Sequence, residues 1–183
     1  MNLAEKLAAS YLRLNGFLFL DQFTVFTGRQ HNHIDLVGLR AANSKEVIGQ
    51  TTLPVDEKLF SVLTEIRGEC AKTTTVAIAA EVRTNTNRDL PCSDHLGYAT
   101  HFLGGTLVTP MAFFEGQHQV VINDEAIDVS LSHAGHWLVE RFEAMDRLEL
   151  NLTKEGSWNL SEPFLAELLC LRKLGMLSNP RNA

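Results

Sequence analysis

The sequence predicts an α/β domain in which helices flank a mixed central sheet. Three observations carry this expectation. The chain opens with a helical repeat, continues with two strand-like segments that form a hairpin, and then reaches the alanine- and valine-rich segment 73–84, the most apolar strand candidate. Helical and strand segments alternate without a linker or an internal repeat, so we expect a single domain over 1–183.

The first helix is predicted over 2–15 and ends at Asn15-Gly16, a common C-terminal stop. Its apolar residues recur at helical spacing: Leu3, Leu7, Tyr11 and Leu14. The aromatic and β-branched segment "FLFLDQFTVF" (17–26) predicts a strand that ends at the turn Thr27-Gly28. The segment "HIDLVGLR" (33–40) is predicted to be its hairpin partner.

The remaining elements follow in chain order. A helix from Asp56 to about Glu69, capped by Asp56 and Glu57, precedes the strand 73–84. We then expect a helix over 93–102, a strand over 106–111 after Gly104-Gly105, strands "HQVVI" and "EAIDVS" on either side of Asn123-Asp124, and helices over 133–149 and 161–174.

Composition narrows the class of protein. The chain of 183 residues is 45% hydrophobic and 21% charged, as expected for a globular domain. It has no leader-like start and no apolar window of the about 18 residues that a membrane span needs, so we expect a soluble, cytoplasmic protein without membrane association. Three widely spaced cysteines, Cys70, Cys92 and Cys170, are expected to be reduced and mostly structural.

The net charge is -6, and the whole acidic excess lies in the second half of the chain. Residues 1–90 hold ten basic and ten acidic residues, whereas residues 91–183 hold six and twelve. A local basic groove in the first half is therefore compatible with the composition, and a nucleic-acid partner is not excluded.

Two apolar strands each carry an acid near the end of their hydrophobic run. Strand alternation places His33, Asp35 and Val37 on one face of their strand. It also places Glu81 and Arg83 on one face of the strand 73–84. Buried carboxylates need a partner or a metal. If these strands are neighbours, Asp35, Glu81 and Arg83 converge at one end of the sheet, where two carboxylates suit Mg²⁺.

These segments resemble the PD-(D/E)XK nuclease superfamily, which includes restriction endonucleases and Holliday-junction resolvases. The likeness lies in a helix containing Glu5 ("AEKLAASYLRLNG"), a hairpin strand carrying Asp35 ("IDLVG") and a strand carrying Glu81 and Arg83 ("AAEVR"). It implies a restriction endonuclease-like core, α-β-β-β-α-β, over 2–111. A C-terminal hairpin and helices, 112–183, would pack on that core.

The resemblance implies a Mg²⁺- or Mn²⁺-dependent nuclease that hydrolyses DNA phosphodiester bonds. Asp35 and Glu81 would be metal ligands, and Glu5 an accessory catalytic acid. Arg83 occupies the position of the family lysine; it can stabilise charge, but its guanidinium stays protonated and cannot act as a general base. The expected partner is DNA, and a homodimer is compatible with the sequence. The long insertion between Asp35 and Glu81 leaves 41–72 as a lid or a substrate-reading segment.

Other interpretations remain open. Asp35, Glu81 and Arg83 can form a structural ion pair, and Glu5 can simply favour a helix N-terminus. A catalytically inactive nuclease-like fold that binds nucleic acid or protein is one alternative function. A small metal enzyme centred on His31, His33 and Asp35 is another.

The spacing His133-x-x-His136-x-x-x-Glu140 also places three ligand-type side chains on one helical face. We expect an ordinary solvated helix face there, capped by Ser132, rather than a metal site.

Overall fold

A computed structural model describes residues 2–27, 30–41, 47–48, 51–52, 55–68 and 75–147. Its helices are α1 (Leu3–Leu14), α2 (Glu57–Arg67), α3 (Ser93–Phe102) and α4 (Leu131–Arg147). Its strands are β1 (Leu18–Thr27), β2 (Gln30–Arg40), β3 (Val47–Ile48), β4 (Thr51–Thr52), β5 (Val76–Val82), β6 (Val108–Phe114), β7 (Val120–Asn123) and β8 (Ala126–Ser130).

Six strands form one mixed sheet in the order β1-β2-β5-β6-β8-β7, and β3 and β4 form a separate small hairpin. β5, β6 and β8 run parallel to one another, whereas the neighbours β1/β2, β2/β5 and β7/β8 are antiparallel. The predicted α/β class with a mixed central sheet is therefore confirmed. The predicted helix over 161–174 lies outside the described residues.

Local signals explain where α1 begins. The side chain of Asn2 accepts a hydrogen bond from the Glu5 backbone, and the Glu5 carboxylate accepts one in return from the Asn2 backbone N–H at 3.0 Å. This capping box satisfies donors that the first helical turn leaves without partners. The buried face of α1 includes Tyr11 and Leu14 of the predicted repeat together with Ala4 and Ala8, whereas Leu3 is exposed.

The core lies on both faces of the sheet. On one face α1, α2 and α4 contribute to an apolar cluster that includes Ile78 and Ala80 of β5. On the other face α3 covers a smaller cluster that includes Ala77 and Ala79. Because alternate residues of β5 are buried on opposite faces, this strand is apolar throughout until it reaches Glu81.

No helix in the described part of the chain has the length and apolar character needed to cross a membrane.

Candidate functional site

Asp35 lies where β2 and β5 stop pairing. The last backbone pair between these strands is Leu36↔Ala80, one residue short of Asp35. The Val82 backbone N–H instead donates to Asp35 Oδ2 at 2.8 Å, so the carboxylate takes the place of a strand carbonyl. Asp35 is only 5% exposed, and this bond is one reason why a carboxylate is tolerated there.

The strict alternation predicted for 33–37 is wrong. Ile34 packs in the same apolar cluster as Val37, whereas Leu36 packs in the cluster on the opposite face of the sheet. The β1/β2 ladder skips the position Gln22–Asp35, and Gln22 has a φ of 49°. This left-handed residue interrupts the regular pleat beside Asp35.

The structure brings Asp35, Glu81 and Arg83 together, as the sequence predicts, and adds Asp89. Arg83 Nη1 donates to Asp35 Oδ2 at 3.1 Å, and Nη2 donates to Glu81 Oε2 at 3.2 Å. Arg83 Nε donates to Asp89 Oδ2 at 3.0 Å. We call Asp35, Glu81, Arg83 and Asp89 the sheet-end cluster. One guanidinium thus contacts three carboxylates.

Glu81 is the least satisfied member of the sheet-end cluster. Burial disfavours its charged form, and the neighbouring Asp35 carboxylate repels it, so the pKa of Glu81 rises to about 7 despite the attraction of Arg83. The two carboxyl groups also share a hydrogen bond, which favours a proton on Glu81. The cluster therefore carries excess negative charge that a bound cation would relieve.

The outer side of the cluster is accessible. Arg83 is 35% exposed and Asp89 is 50% exposed. Burial alone would lower the pKa of Arg83, but Asp89, Glu81 and Asp35 together raise it, so the guanidinium stays protonated. The loop that carries Asp89 is anchored by its neighbour Arg88, whose Nε donates to both oxygens of Asp128 at 2.7 and 2.9 Å.

Glu5, His31 and His33, which the sequence also singled out, are not members of the sheet-end cluster. Both Glu5 oxygens accept hydrogen bonds from Asn2 in the α1 capping box, the helix-terminal role that the sequence left open. His33 is 59% exposed and holds Nε2 3.6 Å from Asp35 Oδ1. The side chain of His31 lies outside the described part of the structure, so the histidine-metal alternative rests on His33 and Asp35 alone.

A second group of polar side chains lies where α1, α2 and α4 meet, with Tyr11, Asp56 and His133 buried and His118 exposed. Asp56 Oδ2 accepts hydrogen bonds from Tyr11 Oη and His133 Nε2, each at 2.6 Å. On the far side of the ring, His133 Nδ1 lies 3.2 Å from His118 Nε2. We call Tyr11, Asp56, His133 and His118 the Asp56 cluster.

Asp56 has the capping role predicted for it and a second role that the sequence did not indicate. As N-cap of α2 it accepts the Lys58 backbone N–H at 3.0 Å. Burial alone would raise its pKa, but the hydrogen bonds from His133 and Tyr11 outweigh burial and lower it. The pKa of Tyr11 is raised well above its ordinary value by burial and by the Asp56 charge.

The solvated helix face predicted around His133 is wrong in part. His133 is only 4% exposed, whereas His136 and Glu140 are exposed as predicted. Ser132 lies inside α4, one residue after its first, and its hydroxyl donates to the Gly116 carbonyl. Tertiary packing explains the difference, because the start of α4 lies against Tyr11 and the α2 N-terminus.

Sequence reasoning missed Asp89, Tyr11 and His118 as members of these clusters. Asp89 lies in the irregular segment after β5 and has no motif spacing to Asp35. Tyr11 has the apolar spacing of a core residue, and only the Asp56 contact reveals its hydroxyl's role. Cys92 is exposed rather than buried, so it does not fit the structural role expected of the cysteines.

A cleft of about 650 Å³ lies at the opposite end of the sheet from the sheet-end cluster, near the start of β6. Its one described arginine, Arg67, is engaged by Thr109 Oγ1 at 2.8 Å and by the Leu107 carbonyl. The cleft is lined by apolar side chains, such as Ile66 and Leu96, and by charged ones, such as Glu65, and its arginine already has two hydrogen-bond acceptors. The sheet-end cluster is therefore the stronger candidate site.

The donor set of the sheet-end cluster fits a hard divalent cation with water ligands. Among the described residues, no group of three His, Cys, Asp or Glu side chains converges to hold a metal ion. Mg²⁺ is commonly bound through one or two carboxylates and retains several waters, which matches Asp35 and Glu81.

No protein-family model matches the chain, and no curated protein or solved structure matches it either.

Proposed function

We propose that the protein is a divalent-metal-dependent nuclease that hydrolyses DNA phosphodiester bonds at the sheet-end cluster. The observation that carries the proposal is the contact between two buried carboxyl groups, Asp35 and Glu81, at the accessible end of two neighbouring strands. Repulsion between them and the raised pKa of Glu81 mean that the cluster gains most from a bound cation.

The order of elements supports the same proposal. α1 is followed by the antiparallel hairpin β1/β2, and β5 then pairs antiparallel with β2. After α3, β6 joins β5 in parallel. This is the α-β-β-β-α-β order implied by the resemblance to the PD-(D/E)XK nucleases, with α2 and the small β3/β4 hairpin inserted before β5 and with β7, β8 and α4 added after β6.

Three residues of the cluster, Asp35, Glu81 and Arg83, have a role in this mechanism. Asp35 and Glu81 would hold Mg²⁺ or Mn²⁺, which when bound supplies a polarised phosphoryl oxygen and a more acidic water. Arg83 donates hydrogen bonds to a non-bridging oxygen of the scissile phosphate and offsets the charge that develops there. Because Arg83 stays protonated, it cannot accept the proton of the attacking water, which would pass to solvent. We keep Glu5 as the proposed accessory acid.

One observation favours the binding-module alternative. Arg83 contacts three carboxylates, so its charge is already neutralised in the absence of substrate. A DNA phosphate must therefore displace Asp89 from Nε and Nη2 before Arg83 can assist cleavage. If that exchange is unfavourable, the fold binds nucleic acid or protein without chemistry.

Metal binding is tested by calorimetric titration with Mg²⁺ and Mn²⁺. We expect wild type to bind and Asp35→Ala and Glu81→Ala to lose binding while remaining folded. Asp128→Asn is the matched control, because Asp128 is also a buried strand carboxylate paired with an arginine, but the second acid on that arginine, Asp124, is exposed rather than buried. Unchanged Mn²⁺ affinity in both site variants would reject the metal site.

Cleavage of plasmid and branched DNA with Mg²⁺ or Mn²⁺ tests the reaction. We expect Arg83→Lys to retain or raise cleavage and Arg83→Ala to abolish it, since lysine keeps the charge at the phosphate. If wild type and Arg83→Lys both bind metal and DNA but cleave none of these substrates, the binding-module alternative is correct.

A further inference from the structure

The cleft near the start of β6 has the size of a small-molecule site. Its volume of about 650 Å³ lies within the range of about 300–1,000 Å³ that is typical of ligand pockets. Its apolar wall comes from four different elements and consists of Ile66, Leu96, Val108, Pro110 and Ile122. The proposed nuclease mechanism does not use this cleft, because Val108 pairs with Ala77 at the start of β5, whereas Glu81 lies near the other end of that strand.

Arg67, the last residue of α2, places an oriented positive charge in the cleft. Its Nε donates to Thr109 Oγ1 at 2.8 Å, and its Nη2 donates to the carbonyl of Leu107. These two acceptors lie next to each other along the start of β6, so they hold the guanidinium between the helix and the strand. A guanidinium that is already oriented loses little conformational freedom when it binds a ligand.

The two contacts of Arg67 do not neutralise its charge, because a hydroxyl and a carbonyl are uncharged acceptors. Within the described ranges no carboxylate lies within ion-pair distance of Arg67, and no acceptor contacts its Nη1. Burial lowers the pKa of Arg67, and no acid raises it in return. Nη1 and the second hydrogen of Nη2 therefore form a fork that can donate to both oxygens of one carboxylate.

The outer edge of the cleft carries acidic side chains. Glu65 of α2 and Glu125 of the β7/β8 turn both line the cleft and are exposed, and no described basic residue pairs with either. Asp124 also lines the cleft but lies 3.5 Å from Arg88 Nη1. Arg88 Nη2 donates to the Asn123 carbonyl at 2.6 Å, which holds the turn in place. This edge repels a polyanion such as DNA and attracts a cationic group on a ligand.

These three features together define one class of ligand. Arg67 requires a carboxylate, the exposed acids favour an ammonium group, and the apolar wall requires an apolar body attached to both. An inorganic anion lacks the apolar body, and a nucleotide carries too much negative charge for the acidic edge. A role of Arg67 in joining α2 to β6 explains its two hydrogen bonds, but it leaves the uncompensated charge beside an apolar wall without a function.

We propose that this cleft binds a small zwitterion of the amino-acid class with an apolar side chain. The ligand carboxylate accepts hydrogen bonds from Arg67 Nη1 and Nη2, and the ligand ammonium lies beside Glu65 and Glu125. The apolar side chain packs on Leu96 and Ile122. This site is independent of the proposed nuclease reaction, so each of the two proposals can fail without the other.

The test is calorimetric titration of the full chain with L-phenylalanine and two analogues. Hydrocinnamate lacks the ammonium group, and phenethylamine lacks the carboxylate. We expect L-phenylalanine to bind with one-to-one stoichiometry and phenethylamine to bind at least about tenfold more weakly, because it loses the charge-assisted hydrogen bonds to Arg67. Hydrocinnamate should bind about fivefold more weakly, since the acids that it no longer contacts are exposed.

Two variants assign the two charged groups of the ligand to the protein. Arg67→Gln should weaken the binding of both L-phenylalanine and hydrocinnamate by at least about tenfold. The double variant Glu65→Gln/Glu125→Gln should weaken L-phenylalanine binding by about fivefold without weakening hydrocinnamate binding. Both of its substitutions are at exposed positions, so this variant tests the proposal even if Arg67→Gln does not fold.

Glu115→Gln is the matched control, because Glu115 is an exposed acid that follows the other end of β6. It should bind L-phenylalanine as wild type does, and so should Asp35→Ala, which separates this cleft from the sheet-end cluster. The proposal is wrong if L-phenylalanine does not bind wild type at millimolar concentration. Equal affinity of wild type for hydrocinnamate and L-phenylalanine, or of wild type and a folded Arg67→Gln for L-phenylalanine, would also overturn it.

Discussion

In the Asp56 cluster one carboxylate receives three donors, whereas in the sheet-end cluster three carboxylates share one guanidinium. Both clusters contain carboxylates that are about 5% exposed, so burial alone does not distinguish them. The balance of hydrogen-bond donors and acceptors distinguishes the two clusters. Hydrogen bonds lower the pKa of Asp56, while the neighbouring acid and burial raise that of Glu81 to about 7.

The difference indicates where ligands stabilise the protein. A carboxylate with full hydrogen bonding gains nothing from a cation, and removing it leaves buried donors without a partner. A buried acid next to another acid costs stability whenever it ionises, and a cation offsets that cost. The Asp56 carboxylate is therefore mainly structural and orients His133, whereas Asp35 and Glu81 are poised to bind a ligand directly.

The largest expected effect is that of Asp56→Ala, which removes the acceptor of Tyr11 and His133 and the cap of α2. We expect the free energy of unfolding at neutral pH to fall by about 4 kcal/mol, measured by urea denaturation. Asp56→Asn, which keeps a capping oxygen, is the control and should lose less. A loss below about 1 kcal/mol for Asp56→Ala would mean that the cluster is not a coupled unit.

This loss depends on pH. The pKa of folded Asp56 lies below its ordinary value of 3.8, so its contribution is present above that value and is lost as the pH falls through the folded pKa. The stability difference between wild type and Asp56→Ala should therefore shrink in acid.

Glu81→Gln is expected to have the next largest effect on the free energy of unfolding, and it should raise that free energy rather than lower it. The pKa of folded Glu81 is about 7 against an ordinary 4.5, so its favourable contribution is full below pH 4.5 and is lost as the pH rises through 7. The variant should be more stable than wild type by about 2 kcal/mol near pH 8, after allowance for solvent screening, and no more stable near pH 5.

Thermal unfolding of the metal-free wild type and Glu81→Gln at both pH values measures this effect. Asp35→Asn is the companion variant: it removes the neighbouring charge while keeping an oxygen for the Val82 N–H, and it should lower the pKa of Glu81 in carbon-13 NMR. A stability difference between wild type and Glu81→Gln that does not change with pH would contradict the raised pKa.

Tyr11→Phe tests a single hydrogen bond of the Asp56 cluster and should cost about 1 kcal/mol at neutral pH. The ring contacts of Tyr11 with Phe113 and Trp137 remain possible in the variant, so the loss reports the hydroxyl. The measurement is again urea denaturation. In the background of Asp56→Ala the same substitution should cost less, because the hydroxyl no longer has its acceptor.

Asp89→Asn is expected to have the smallest effect on stability, below about 0.5 kcal/mol, because its ion pair with Arg83 is half exposed. If the proposed nuclease mechanism is correct, the variant frees Arg83 for a phosphate and should bind DNA more tightly than wild type in a fluorescence anisotropy titration. Unchanged affinity in Asp89→Asn would show that Asp89 does not compete with DNA for Arg83.

Much of the fold follows from local patterns in the sequence. The spacing of apolar residues predicts α1, and the aromatic and β-branched segments predict the β1/β2 hairpin that the structure contains. The N-cap role of Asp56 and the contact between Glu81 and Arg83 also follow, because capping and strand alternation depend on residues a few positions apart.

Contacts between residues far apart in the chain were decided only by the tertiary structure. The strand order places β5 beside β2, which brings Asp35 to Arg83, and the packing of α4 against α1 and α2 buries His133 on Asp56. A pattern in sequence reports whether a side chain is apolar or charged at a given spacing. The partner that compensates a buried charge comes from another element, so the pKa of Glu81 and the facing nitrogens of His118 and His133 depend on packing alone.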